Sequence, residues 1–259
     1  QPNEKTMMKL NWTLALTLTA LAVTATARDL STDRPDTTES PITVPKGMFQ
    51  FEAELLAHSW NGGDSASWTF GETLFKYGVT DRFDVQLNVP TYGRQRLDGG
   101  WVEGFGNLTA RAKYNLWGND EGRTALGIVP YVSAPTSADG LASEEWEFGV
   151  AFPFALEIND RLSAGMQQQF DWVDDGAGSR DFEWLQTLVL GVSLTEKLGM
   201  FTEGVVVLRF EGDKTTDVAV NGGFTYLVTP NLQLDAGVRV GLAGEVDDVQ
   251  VFMGWSQRF

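Results

Sequence analysis

Polar and apolar residues alternate along much of this chain. Phe83, Val85, Leu87 and Val89 fall on one face of an extended segment, with Asp84, Gln86 and Asn88 on the other. Leu108, Ala110, Ala112, Tyr114 and Leu116 alternate with Asn107, Thr109, Arg111, Lys113 and Asn115. Leu232, Leu234, Ala236, Val238 and Val240 alternate with Gln233, Asp235, Gly237, Arg239 and Gly241. A period of two is that of a β-strand whose faces meet different surroundings. Each run is about ten residues long, enough to cross a bilayer as a tilted strand.

The connections alternate in kind. Short polar turns recur at Thr80-Asp81-Arg82, Asn159-Asp160-Arg161, Thr195-Glu196-Lys197 and Thr229-Pro230-Asn231, and a hydrophobic residue follows each at once. Longer segments rich in Gly, Asp and Ser lie between them, at Asn61–Ser67, Asp174–Ser179 and Ala243–Asp247. Tight turns at one end and longer loops at the other describe an outer-membrane barrel. The expected fold is therefore all-β, an antiparallel up-and-down transmembrane β-barrel of about twelve strands. The strands fall near 48–59, 67–78, 83–94, 105–117, 123–134, 144–157, 161–172, 180–194, 198–211, 216–228, 232–242 and 248–259. Ser67–Tyr77 and Ala125–Ala134 alternate poorly, which leaves ten or fourteen strands open. In the last strand Val249, Val251, Met253, Trp255, Gln257 and Phe259 share the face expected to meet lipid. Its closing Trp255 and Phe259 resemble the signal read by the barrel assembly machinery.

A soluble antiparallel sandwich also alternates. The start of the chain separates the two readings. Met7-Met8-Lys9 resembles a translation start, with either Met as the initiator, and Gln1–Thr6 lie upstream of it. An apolar run from Leu10 to Val23 then ends in Ala25-Thr26-Ala27, the layout of a secretory signal peptide cleaved after Ala27. The expected organisation is a leader over 1–27, an N-terminal periplasmic or plug segment over 28–47, and a barrel over 48–259. Composition adds limits. A formal net charge of −16 argues against a nucleic-acid partner, which needs a basic surface. With no cysteine, stability must come from packing and backbone hydrogen bonds.

Just after the expected cleavage site the chain reads Ser31-Thr32-Asp33-Arg34-Pro35-Asp36-Thr37-Thr38-Glu39-Ser40-Pro41, then Val44-Pro45-Lys46-Gly47 and Phe49-Gln50-Phe51-Glu52. This opening resembles the outer-membrane transporter family of the meta-pathway of phenol degradation. Tyr77–Phe83 and Asn88-Val89-Pro90 fit the same family more loosely. The resemblance implies a barrel that moves small molecules, aromatic or hydrophobic ones among them, across the outer membrane. Asp33, Arg34, Pro35 and Asp36 form the motif expected to tuck into the periplasmic mouth, with Arg34 paired to Asp33 or Asp36.

The polar strand face supplies the candidate lumen lining: Glu52, Glu54, Asp84, Arg111, Lys113, Glu145, Glu147, Gln167, Gln169, Glu203, Arg209, Asp235, Arg239 and Arg258. Acidic excess there favours cations or neutral solutes. A network of mutual ion pairs that fills the barrel is the alternative. Enzymatic chemistry finds little support. His58 and Ser59 are neighbours on a strand and so point to opposite faces, which disfavours a Ser–His pair. No metal site or cofactor is expected from one histidine and no cysteine. Acidic pairs at Asp174-Asp175, Glu144-Glu145 and Asp247-Asp248 suit solvated loops, or contact with lipopolysaccharide through divalent cations. The leading expectation is a small-molecule channel; a structural or loop-binding barrel and a lipid-modifying enzyme are the alternatives.

Overall fold

The computed structural model describes residues 28–259 except 63, 98–99, 121, 139, 177–178 and 211–214. The expected signal peptide lies outside the described residues. The described strands are β1 (Phe49–Asn61), β2 (Asp64–Phe70), β3 (Glu72–Thr80), β4 (Phe83–Val89), β5 (Tyr92–Leu97), β6 (Gly100–Gly104), β7 (Leu108–Trp117) and β8 (Thr124–Ala134). They continue with β9 (Glu147–Asn159), β10 (Leu162–Asp174), β11 (Arg180–Ser193), β12 (Leu198–Arg209), β13 (Thr216–Thr229), β14 (Leu232–Ala243) and β15 (Val249–Arg258).

Neighbouring strands pair antiparallel, and β15 returns to β1 to close the sheet. Phe49 and Phe259 complete the seam by exchanging both backbone bonds, at 3.1 and 2.7 Å. β2 and β3 both pair along β1, so they are two pieces of one strand, as are β4 with β5 and β6 with β7. Fifteen segments thus make a closed twelve-stranded barrel.

Burial runs opposite to that of a water-soluble domain. Leu188, Leu190, Phe224, Leu234 and Met253 are exposed on the outer surface, whereas the largest fully buried side chains include Lys113, Gln50, Gln167 and Glu52. Only a lipid exterior makes that arrangement favourable. Rings collect near both ends of the wall. Phe148, Trp172, Phe182 and Phe210 form a chain of contacts toward the loop end, and Phe51 meets Trp255 and Phe259 at the turn end. These are the aromatic girdles of a membrane barrel.

The poorly alternating segments have physical causes. β1 shifts register between Glu54 and Leu56, Gly71 (φ 70°) parts β2 from β3, Pro90-Thr91 part β4 from β5, and Phe105–Asn107 part β6 from β7. Four adjacent strands therefore carry a break, and each break moves the inward face by one residue. On β1 the inward residues change from Gln50 and Glu52 to Ala57 and Ser59. In β8, Ala125, Gly127 and Val129 face inward although small or apolar, and the N-terminal segment packs on Gly127. A Cβ on Gly127 would stand 3.1 Å from Pro41. Two boundaries also need correction. Asn61–Ser67 is a tight hairpin with strand on both sides, and β9 begins at Glu147, which leaves Glu145 exposed in the 135–146 connection.

Candidate functional site: a lumen occupied by the N-terminal segment

Residues 28–47 form no strand and run inside the barrel. Arg28 lies at the turn end beside Asp81, Asn119 and Asp120, and Gly47 returns there to bond Gly78. Between these points the chain enters the lumen and comes back. Ser31 and Ser40 face each other across this excursion at 2.6 Å between hydroxyls, and the Ser40 amide donates to Asp33 at 2.9 Å.

A segment without secondary structure leaves its backbone amides without strand partners, and these must be met some other way. The wall meets them with side chains. Glu52 accepts the Asp33 and Arg34 amides at 2.8 and 2.9 Å, and Glu203 accepts those of Thr37 and Thr38 at 2.9 and 2.7 Å. Gln167 takes the Glu39 amide, Asn119 that of Thr43 and Asp84 that of Val44. Asn115 and Gln50 donate in turn to the Pro41 and Ser31 carbonyls. The wall residues on this roster come from β1, β4, β7, β10 and β12 and from the turn after β7, so the segment is gripped from all around.

Charge follows the same plan. Asp33 sits between Lys76 at 2.5 Å and Lys113 at 2.6 Å, all three buried, and Lys76 also pairs with Glu52. Burial alone would raise the Asp33 carboxyl, but Lys113, Lys76 and Arg111 outweigh it and hold the group far below the usual carboxylate range. Arg34 bonds Asp235 at 2.8 Å and Glu54 at 3.4 Å, and Arg111 pairs with Glu39. The expectation that Arg34 pairs with Asp33 or Asp36 is therefore corrected: lysines of β3 and β7 take Asp33, and wall carboxylates take Arg34. Asp36 has no cationic partner among the described residues. Burial, and after it the neighbouring Glu203 carboxylate, push its carboxyl well above the usual range.

Of the fourteen sequence candidates, thirteen face the lumen and Glu145 does not. Glu52, Glu54, Asp84, Arg111, Lys113, Gln167, Glu203 and Asp235 hold the N-terminal segment directly, and Arg239 reaches the Thr37 hydroxyl at 2.7 Å. Gln169 joins Tyr131 and Asp171, Arg209 bridges Glu183 and Asp217, and Glu147 accepts the Asp174 amide, all nearer the loop end. Arg258 binds Asn231 and the Asp29 carbonyl at the turn end. Sequence reasoning missed Lys76, Gln50, Asn115 and Asn119. Lys76 lies in the run whose period is shifted at Gly71, and Asn119 lies in a turn, where alternation has no meaning.

Above the segment, toward the loops, opens a cavity of about 710 Å³, with Asn61, Thr69, Gln95, Leu141 and Asp247 on its walls. Two smaller cavities of about 240 Å³ each flank the segment itself. His58 takes no part in the lumen. It lies on the outer surface between Trp68, stacked at 3.6 Å, and Trp60, while the Ser59 hydroxyl meets Ser67 inside. Among the described residues no group of three or more His, Asp or Glu side chains is placed to hold a metal ion.

Fold and lumen together define a membrane-spanning barrel of the outer-membrane type with an internal N-terminal segment. The chain belongs to the family described as Putative MetA-pathway of phenol degradation, whose model matches residues 32–259. It is similar in structure to the COG4313 outer membrane channel from Pseudomonas putida F1, at TM-score 0.63 and 14% identity over 85% of this chain and 98% of that one. It is also similar to the NanC porin, at TM-score 0.55 and 10% identity over 80% of this chain and 98% of that one. No curated protein matches the chain in sequence.

Proposed function

We propose that the protein is an exported outer-membrane channel for small molecules, whose passage is narrowed by residues 28–47. The observation that carries this reading is the lumen: a polar wall enclosing a cavity of about 710 Å³ at the loop end, with the N-terminal segment held below it by side chains rather than by strand pairing. A structural barrel has no need of such a vestibule, and a solute channel does. The channel and porin named above support the reading, and the family's description makes small phenolic compounds the first solutes to assay.

In this reading the leader over 1–27 is removed on export, and the thirteen inward residues line or set the passage. Trp255 and Phe259 address the chain to the barrel assembly machinery. Lipids of the outer membrane, lipopolysaccharide among them, meet the exposed wall. Planar-bilayer recording and solute flux into proteoliposomes test the proposal. Discrete conductance steps and entry of small phenols are expected; a silent protein with sealed liposomes would refute it. Mass analysis of the mature protein should find Arg28 at its start.

A further inference from the structure

The three cavities adjoin in a row, each sharing lining residues with the next. The large one at the loop end and the middle one meet at Glu72, and the middle one and the turn-end one share Arg34 and Asp36. The turn-end cavity is bounded by Ser163, Ser193, Gly199 and Gln233, all close to the short turns. A solute that follows this row passes the N-terminal segment on one side, and the wall between the last two cavities is made by two of its side chains.

Those two side chains are not equivalent. The Arg34 guanidinium is held by Asp235 and Glu54, so its charge is compensated and its position set. Asp36 has no ion-pair partner among the described residues. It lines both cavities where they adjoin, and once ionised its charge is weakly screened by water there, so it acts strongly on a passing ion. The middle cavity adds Glu54 and Glu72, set against Arg111, which Glu39 already neutralises.

We infer that Asp36 is the selectivity-setting residue of a side passage along the N-terminal segment, one that favours small cationic or neutral solutes over anions. This deepens the channel reading and rests on it. Ionisation of Asp36 is opposed first by its burial and then by Glu203, Asp33 and Glu52, so the preference for cations strengthens as pH rises. Of the other charged groups about the two cavities, Arg34 pairs with Glu54 and Asp235, Arg111 with Glu39, and Asp33 and Glu52 with Lys76, while Glu72 accepts a hydrogen bond from Asn88.

The natural absence of cysteine makes a direct test available. Full-length Asp36→Cys is recorded in planar bilayers before and after charged methanethiosulfonate reagents, and Asp36→Asn and Asp36→Lys are compared with the natural protein by reversal potential in a salt gradient at neutral and alkaline pH. Glu196→Gln, in an exposed short turn away from the three cavities, serves as the control. Expected are a stepwise fall in current on modification at 36, loss in Asp36→Asn of the cation preference that the natural protein gains at alkaline pH, and a shift toward anions in Asp36→Lys, with Glu196→Gln unchanged. If Asp36→Lys does not fold, the nearly isosteric Asn and Cys variants carry the test. Conducting variants with natural selectivity and no response to modification would overturn the inference and leave the channel reading intact. Absence of current in the natural protein would refute the channel reading itself.

Discussion

The two halves of the lumen are built on different principles. In the half near the short turns, the strands are unbroken, the wall is charged, and the N-terminal segment saturates it: Asp33 with two lysines, Glu52 and Glu203 with two amides each. In the half near the loops, β1 to β7 are interrupted, the wall groups bond one another, and a cavity remains. A buried charge is tolerable only when paired, so the filled half depends on its occupant. The open half, where water reaches the wall, does not. The segment thus completes the structure of one half while it narrows the route through it.

The largest effect should come from Asp33→Ala, which leaves Lys113 without a carboxylate and Lys76 with Glu52 alone in a nearly dry site. Breaking such a buried arrangement costs about 3–5 kcal/mol, and denaturant unfolding in micelles should register it. A loss below about 1 kcal/mol would mean that the segment is not docked in solution. Next is Glu203→Ala, which leaves the Thr37 and Thr38 amides without an acceptor. Each buried unsatisfied group costs about 1–3 kcal/mol, and the substitution should expose residues 28–47 to added protease while the strands stay protected. Unchanged protease resistance would dissolve the distinction between occupant and wall.

A smaller effect is expected from pH. Because the Asp36 carboxyl titrates higher in the folded protein than in an unfolded chain, folding takes up a proton. Stability should then fall as pH rises from the usual aspartate range through the folded value, and Asp36→Asn should flatten that slope. A slope that persists in Asp36→Asn assigns it to another group. The smallest effect belongs to the open half. Arg94 and Glu103 meet at 3.5 Å near Trp101, both exposed, and Arg94→Ala should cost no more than about 1 kcal/mol. A cost as large as that of Asp33→Ala would erase the contrast.

How much of this was legible along the chain follows from the physics of each part. Where a strand faces lipid on one side and polar groups on the other, as in β4, β7, β14 and β15, alternation placed Asp84, Arg111, Lys113, Asp235, Arg239 and Arg258 on the inward face. Where the period shifts, at Gly71 or Pro90, the pattern blurred and Lys76 was lost. Glu145 was misplaced because a strand's first residue is decided by its partner, and the 135–146 connection instead packs on β5 and β6, with Leu141 against Gly93 and Ala138 against Gly104.

The sequence by itself therefore determined the class of wall: a bilayer's thickness and the two-residue period of a strand leave few ways to arrange such segments, and closure follows from the need to pair every edge. It also marked residues 31–41 as a distinct charged segment. Only the tertiary structure decided which charges meet. Asp33 lies 43 residues from Lys76 and 80 from Lys113, and Arg34 lies 201 from Asp235. Nothing local brings such groups together; the shear and register of a closed barrel, together with the path of the segment through it, set every one of these pairs.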